Sequence, residues 1–456
     1  VYNGEIYNYR ELRAELTAAG DVFSSASDTE VLLYLYARHG VEMLSKLLGI
    51  FAFAIRDARV DGRPAGIGRG ALFLARDQMG VKPLYLAQSP RGVLFGSEIK
   101  ALVCEPSVSR ELDPLAIHET LAYLWTPAPR TPFQAVRKVA PGTAVVLDAG
   151  RVAREWRYYR LPWDGTRMTL PVEETAARVA DAVGTAVRRQ MVSDVPVGAF
   201  LSGGLDSSAV VAMMRRAEPN RRVQCFSIGF GDRAEVEGNP SDLPYARRVA
   251  KHLDVDLEEI HLNASVAHRL EAMVGVLDEL HADPAPINAW IIAEHARARG
   301  IPVLLSGAGG DDLFSGYRRH HALMLERWWA WAPAPLRRLG QRLAVAAACG
   351  AGSGQQSPWR RRLLKLLLHA GETPDRRLAG YFQWSPEPLR RGLYTPAFAA
   401  AVAGVDTMAP LLASLEDIAH ETDPLARLLY LETRHFLVDH NLNYTDRAGM
   451  AAGVEV

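Results

Sequence analysis

The stretch Ala199–Phe200–Leu201–Ser202–Gly203–Gly204–Leu205–Asp206–Ser207–Ser208, running on into Ala209 to Met213, restricts the fold more than any other part of this sequence. A strand is predicted to end near Leu201, two consecutive glycines turn the chain, and a helix is predicted to start at about Asp206. Glycine adopts turn geometries closed to other residues and lets a ligand approach the backbone. Successive N–H groups at such a turn, with the N-terminus of the next helix, form a cradle for an anion. The hydroxyls of Ser202, Ser207 and Ser208 add donors. The loop lacks the Lys of a GxxxxGK[ST] site and does not follow GxGxxG. Asp206 fits a pyrophosphate site, because the divalent cation that accompanies pyrophosphate takes carboxylate oxygen.

A second loop repeats this logic. The predicted strand Val303–Leu304–Leu305 leads into Ser306–Gly307–Ala308–Gly309–Gly310–Asp311–Asp312. Loops at the C-terminal ends of parallel strands converge on one crevice, so Asp206 and Asp311 are expected to flank one magnesium ion. Between and around these loops, predicted strands and helices alternate: a helix over about Val172 to Met191, a strand at Gln224 to Ile228, a helix at Tyr245 to His252 and another at Ala289 to Ala298. Such alternation predicts a parallel α/β sheet. Beyond about Leu313 the pattern is mostly helical.

The first hundred residues read differently. Arg10 to Leu16 is a short helical stretch. Ser27–Asp28–Thr29–Glu30 before the apolar run Val31 to Tyr36 predicts a capping box with Ser27 as N-cap and Glu30 at N3. Phe51 to Ile55, Ala71 to Ala75 and Val93 to Phe95 are predicted strands, giving an α+β unit. Residues 104–168 form a connector broken by Pro127, Pro129, Pro132 and Pro141, with a strand at Ala144 to Leu147. Tryptophans 328, 329 and 331 are expected to pack within helices. Cys349 to Pro358 reads as an exposed loop, and Arg360–Arg361–Arg362 as a solvated helix face.

A chain of 456 residues can bury more than one core. Lys plus Arg equals Asp plus Glu at 52 each, a balance that does not suggest a strongly basic surface for nucleic acid but leaves room for local patches. Three scattered cysteines, Cys104, Cys225 and Cys349, argue against a disulfide framework and for a reducing cytoplasm. No apolar run is long enough to span a membrane. Val1–Tyr2 opens directly on Asn3–Gly4–Glu5, and the sequence stops inside what reads as an ordered segment at Gly453 to Val456. Residues are therefore expected to be missing at both ends.

At these motifs the sequence resembles the asparagine synthetase B-type, glutamine-dependent amidotransferases, over nearly the whole chain and with the motifs in the family's order. The resemblance implies an α+β Ntn-type glutaminase domain, incomplete at its start, over 1–110. A connector follows over 111–168. An α/β parallel-sheet ATP-pyrophosphatase domain, of the adenine nucleotide alpha hydrolase-like type, is implied over 169–456. It implies glutamine as nitrogen donor, ATP and Mg2+, and a carboxylate acceptor activated as its acyl-adenylate. Nucleic acid and membrane are not among the implied partners, and a homodimer is open to such a chain.

Residue by residue, Asn3–Gly4–Glu5–Ile6–Tyr7–Asn8 resembles the family's glutamine-binding strand. Asn3 and the Gly4 amide would form the oxyanion hole, where donors act on charge that develops in the transition state. Asn3, Glu5 and Asp28 would hold the glutamine substrate, the two carboxylates its α-amino group. Arg76–Asp77, Gly80 to Tyr85 and Ser97 to Lys100 match further segments that support the fold and the domain interface. The nucleotide is implied at Leu201, Ser202, Gly203, Gly204, Asp206, Ser207 and Ser208, at Ser227 and Ile228 on the adenine side, and at Ser306 and Gly307. Asp278, Glu279 and Asp283 resemble the lining of the acceptor and nucleotide pocket. Asp446–Arg447–Ala448–Gly449–Met450 matches a motif whose basic side chain reaches the phosphates, which makes Arg447 the candidate for that role.

Three departures matter. The family nucleophile is a cysteine at the mature N-terminus, and none of the three cysteines stands there. Ala308 occupies a position where asparagine-forming relatives carry Glu and many others Asp. Tyr444 stands where many relatives have Lys. The acceptor is therefore either aspartate or another carboxylate such as a sugar uronate. Two other chemistries compete with glutamine-dependent amidation. One is intramolecular amide formation of the β-lactam-synthetase kind; the other is nucleic-acid modification by an ATP-pyrophosphatase.

Overall fold

The computed structural model describes residues 1–58, 70–230, 242–350 and 364–456. Its first part is built on two antiparallel sheets. Strands β1 (Tyr2–Ile6), β2 (Gly49–Arg56) and β3 (Leu72–Arg76) join β7 (Thr143–Asp148) and β8 (Arg151–Arg157) in the order β1-β2-β3-β7-β8. Strands β4 (Tyr85–Ser89), β5 (Gly92–Gly96) and β6 (Val136–Lys138) form the second sheet, in the order β5-β4-β6.

Side chains on a strand alternate between faces, and β2 buries both. Phe51, Phe53 and Ile55 pack with Leu12 and Leu16 of α1 (Tyr9–Ala18) and Val31, Leu32 and Leu35 of α2 (Asp28–His39). Ala52 and Ala54 face the other way, onto Leu84 and Leu86 at the second sheet. Strand β7 does the same, with Ala144 and Val146 on the helix side and Val145 and Leu147 between the sheets. Burial on both faces explains why these strands read as continuous apolar runs.

This pairing moves one expected boundary. Strands β6, β7 and β8 lie within the predicted connector 111–168, yet they complete the two N-terminal sheets. The short helix α3 (Ile99–Val103) closes this part, while α4 (Pro114–Tyr123) leads away from it. Ala122, Tyr123 and Trp125 pack instead among Leu378, Phe382, Leu411 and Leu428 of the C-terminal helices. The prolines break the connector into pieces, and the two parts of the molecule share them.

The second part is a parallel sheet of β9 (Val197–Phe200), β10 (Gln224–Phe230), β11 (Asp256–Leu262) and β12 (Val303–Leu305), in the order β11-β10-β9-β12. Helices α5 (Val172–Gln190), α6 (Leu205–Ala217) and α7 (Leu243–Leu253) cover one face through Val187, Val211, Met214, Ala246 and Ala250. Helices α8 (Leu270–Leu277) and α9 (Ala285–Ala298) cover the other through Met273, Leu277, Ile287 and Ile291. The chain leaves β9 toward β10 on one side and returns as β12 on the other. Such a switch opens a crevice beyond the strand ends, where ligands bind in folds of this kind.

After β12 come the short α10 (Gly310–Phe314), further helices, and a long helical run whose middle turn-set, Glu432–Leu442, is π-helical and continues into Asn443–Ala451. Its last residues return to the sheet, where Val303 pairs in parallel with Glu455.

Two local expectations fail on physical grounds. Ser27 does cap α2 by accepting from the Thr29 N–H at 3.1 Å, but Glu30 does not reach back to Ser27. Its carboxylate takes the N–H groups of Ser24 and Ser25 at 2.8 and 2.7 Å instead, because the preceding turn brings those donors closer. Trp328 and Trp331 are not packed but 67% and 79% exposed, since the helix they were expected to share is only a 3-10 turn over Glu326–Trp328. Part of the Cys349 to Pro358 loop, and Arg360–Arg361–Arg362, lie outside the described residues.

Candidate active site

The two glycine-containing loops interlock at the switch in the sheet. After β9, the Leu201 N–H still donates to the Phe226 carbonyl at 2.9 Å, and the loop begins at Ser202. The Ser202 and Ser207 hydroxyls lie 3.0 Å apart, and the Gly204 N–H donates to Ser202 Oγ at 3.2 Å. Ser208 Oγ donates to the Gly204 carbonyl at 2.6 Å. These bonds fix the loop with its hydroxyls gathered at the start of α6. Gly203 has φ +77°, and a Cβ there would lie 2.4 Å from the Ala246 nitrogen at the start of α7. Only glycine permits that conformation and that approach together.

The second loop presses on the first. A Cβ on Gly307 would lie 2.5 Å from the Ser207 nitrogen, and one on Gly310 would lie 2.2 Å from Asp206 Cγ. The Asp206 carboxylate thus rests on the first turn of α10 and accepts the Asp311 N–H. Burial and then the charge of Asp311 hold its carboxyl above the usual carboxylate range. Two neighbouring hard-oxygen carboxylates suit a shared divalent cation completed by phosphate oxygens, so Asp206 and Asp311 fit magnesium. Among the described residues there is no cluster of three or more His, Cys, Asp or Glu arranged for a metal. The Ser306 hydroxyl accepts the Ala308 N–H at 3.1 Å and shapes this loop. Ser227 is buried and Ile228 partly buried on β10, the neighbour of β9.

Three expected ligand residues are placed elsewhere. Arg447 is buried, and its guanidinium donates to Tyr85 Oη at 2.7 Å, the Ser97 carbonyl at 3.3 Å and Asn443 Oδ1 at 3.2 Å. It also pairs with Asp278 at 3.4 Å. Burial opposes its charge, but Tyr85, Glu279 and Asp278 hold the guanidinium firmly protonated. Asp278 turns the same way, onto Lys100 at 3.3 Å. Glu279 pairs with Lys138 at 2.7 Å, takes the Asn443 amide at 2.9 Å and accepts from Tyr85 Oη. Burial works against its ionisation, yet Lys138 and Arg447 keep its pKa below the ordinary value.

Lys82 adds ion pairs to Asp446 at 2.8 Å and Glu455 at 2.9 Å. Arg447, Asp278 and Glu279 therefore bind the two parts of the molecule together, because Tyr85 of β4, Lys138 of β6 and Lys100 face them there. Sequence reasoning placed Lys82 and Tyr85 at the interface but missed Lys138, which carries no motif.

Asp283 stays near the expected pocket. Its carboxylate accepts the Ala285 N–H at 2.8 Å and lies 3.3 Å from His440 Nε2. Around it are groups that sequence reasoning did not single out as site residues. His281 and His440 stack at 4.6 Å, and Tyr444 stands edge-on to both. Asp312 is buried with Oδ2 accepting from Tyr317 Oη at 3.0 Å; burial, then Glu432, pushes its carboxyl up to about 7. Isolated histidines on a loop and a helix carry no spacing signal, so only the fold reveals the cluster.

At the other end, Gly4 has φ +134°, and a Cβ there would lie 2.0 Å from the Ile50 carbonyl oxygen. Asn3 Nδ2 contacts Ser97 Oγ at 3.5 Å. Asp28 Oδ2 accepts from Tyr2 Oη at 2.6 Å and the Ile6 N–H at 3.0 Å, which fixes the carboxylate beside β1. Glu5 shares this corner: burial, then the charges of Asp28 and Glu455, push it up to about 7. The first expected site is thus drawn together by β1 and the start of α2.

Comparison with known proteins agrees with both halves. A glutamine amidotransferase domain model matches residues 1–159, and an asparagine synthase model matches residues 178–456. A putative glutamine-hydrolysing asparagine synthetase of Mycobacterium bovis is 31% identical over 100% of this chain and 66% of its own length. Asparagine synthetase 1 of Bacillus subtilis is 33% identical over 82% of this chain and 54% of its own length. Asparagine synthetase B of Escherichia coli is 32% identical over 70% of this chain and 52% of its own length. The chain spans about half to two thirds of the length of these relatives. Its two-part fold, its interlocked phosphate loops and these matches show that the chain belongs to the asparagine synthase family.

Proposed function

We propose that this protein makes an amide from a carboxylate, using ATP to form an acyl-adenylate and glutamine as the nitrogen source. The observation that carries the reading is the interlocking of the Ser202–Ser208 loop with the Ser306–Asp312 loop, which sets Asp206 against Asp311. In this reading a carboxylate oxygen attacks the α-phosphorus of ATP, and pyrophosphate departs into the loop N–H groups and the hydroxyls of Ser202, Ser207 and Ser208. Ammonia then adds to the acyl carbon, and AMP leaves with the former carboxylate oxygen. Magnesium between Asp206 and Asp311 would neutralise charge on the departing pyrophosphate. Closure by the helices that follow β12 would keep water from the adenylate. Arg447, held at the domain interface, is assigned to coupling the two halves rather than to the phosphates.

Glutamine would bind through Glu5 and Asp28, with Asn3 and the Gly4 amide facing its side-chain carbonyl. The names of the relatives support asparagine synthesis as the parent activity. Ala308 cannot orient an amine or move a proton, which favours a specialised acceptor such as a sugar uronate over aspartate. The test supplies the protein with MgATP, ammonia and a panel containing aspartate and several uronates, then measures pyrophosphate and identifies the amide. Release with one class of carboxylate names the acceptor. No release with any of them would defeat the proposal.

A further inference from the structure

His281 lies on the loop between α8 and α9, tied to the connector by a bridge to Trp125 and by the Ala282 N–H donating to the Leu124 carbonyl at 2.9 Å. Its Nδ1 faces the Asp283 N–H at 3.4 Å, so the ring accepts at Nδ1 and carries its proton on Nε2. That Nε2 is buried and has no hydrogen-bond partner among the described residues. Buried donors without partners are rare and call for an explanation.

The surroundings hold the ring in place. His440 stacks on it, and Tyr444 contacts both rings edge-on. His440 is itself fixed between Asp283 at 3.3 Å and Asn441 Oδ1 at 2.8 Å. Asn441 donates to Tyr317 Oη at 3.2 Å, which donates to Asp312 on α10 at 3.0 Å. A continuous chain of polar contacts thus runs from the second phosphate loop to His281. Tyr444 feels the charges of both Asp283 and Asp312, so all three belong to one neighbourhood. Burial, then the neighbouring His440, pushes His281 down to about 3, which leaves a neutral ring at ordinary pH.

We infer that His281 Nε2–H is a substrate-binding donor that holds an oxygen of the carboxylate acceptor beside the phosphate loops. This deepens the amide-forming reading and rests on it. A neutral donor serves the acceptor as carboxylate and as adenylate carbonyl alike, without an ion pair that would hold the ground state too tightly.

The test compares His281→Phe, which keeps the stacked ring without the donor, with His281→Gln, whose amide N–H replaces Nε2–H. Pyrophosphate release is followed with ammonia, MgATP and, separately, aspartate and glucuronate. His281→Phe is expected to raise the KM for the accepted carboxylate about tenfold or more, with the KM for MgATP unchanged. His281→Gln is expected to recover most of that loss. His281→Leu replaces the Phe variant if the latter fails to fold. An unchanged acceptor KM, or an equal rise for both substrates, would overturn the inference while leaving the amide-forming reading intact. Absence of pyrophosphate release by the unsubstituted protein would overturn the reading itself, and the inference with it.

Discussion

At the scale of single residues, the glycines and carboxylates of the phosphate loops carry the account. Gly307→Ala would drive a methyl group into the Ser207 nitrogen at 2.5 Å. Overpacking of this sort costs about 1–3 kcal/mol, and here it also separates the loops. Calorimetric titration should show weakened MgATP binding, beyond what the stability loss explains. Asp206 offers a metal test. Its raised carboxyl means that the folded state binds its proton more tightly than the unfolded chain. The associated stability is present below the ordinary aspartate pKa and is lost as pH rises through the shifted value. Without metal at neutral pH, Asp206→Asn should therefore melt no lower than the unsubstituted protein. Added magnesium should raise Tm for the unsubstituted protein and much less for the variant.

If Glu5 binds glutamine as proposed, its carboxyl, pushed up to about 7, makes that binding pH-dependent. Its carboxylate must be ionised to pair with the glutamine ammonium, so affinity should rise about tenfold between pH 6 and pH 8. Titration of glutamine at both pH values checks this, and Glu5→Gln should flatten the dependence.

Among the elements, β4, β6 and the loop before β4 meet the long C-terminal helix through buried charges. Lys138 sits 2.7 Å from Glu279 and 3.3 Å from Asp439. Removing one member of a buried ion network strands its partners and costs about 3–5 kcal/mol. Lys138→Met should lose that much in urea unfolding, and adding Glu279→Gln should recover part of it. Neither β4 nor β6 was read from the sequence, whereas other elements were. The strand Val303–Leu305 and the helix from Val172 were placed closely, because a uniform apolar run and an amphipathic stretch each imply one structure. In the connector β7 was read as a strand and β6 was not, and the sheet partners β3 and β4 of these two lie earlier in the chain. The Trp328 region misled for a related reason: aromatic residues suggest packing, but the turn that carries them is too short to bury all three.

For the molecule as a whole, the nucleotide end of the site was legible because its chemistry is local. A strand, a glycine turn and a helix N-terminus are consecutive in the sequence, and the second loop repeats the pattern. The acceptor end was not. His281 and Asp283, Asp312 and Tyr317, and His440 and Tyr444 come from three separate segments; of these only Asp283 was expected at the pocket, and nothing in the sequence announces that the three segments meet. Arg447, Asp278 and Glu279 show the converse: their motif was recognised, but their partners Tyr85 and Lys138 lie in the other half of the chain. In the proposed reading, a crevice that forms the adenylate is joined through a buried ionic seam to a half that binds glutamine. Its central claim is that a carboxylate oxygen becomes bonded to the α-phosphorus. The direct measurement uses the carboxylate that supports pyrophosphate release, labelled with 18O in both oxygens, and mass analysis of the nucleotide formed. Acyl-adenylate chemistry predicts AMP carrying one 18O and an amide retaining the other. Formation of ADP and phosphate, or AMP free of label, would contradict the account.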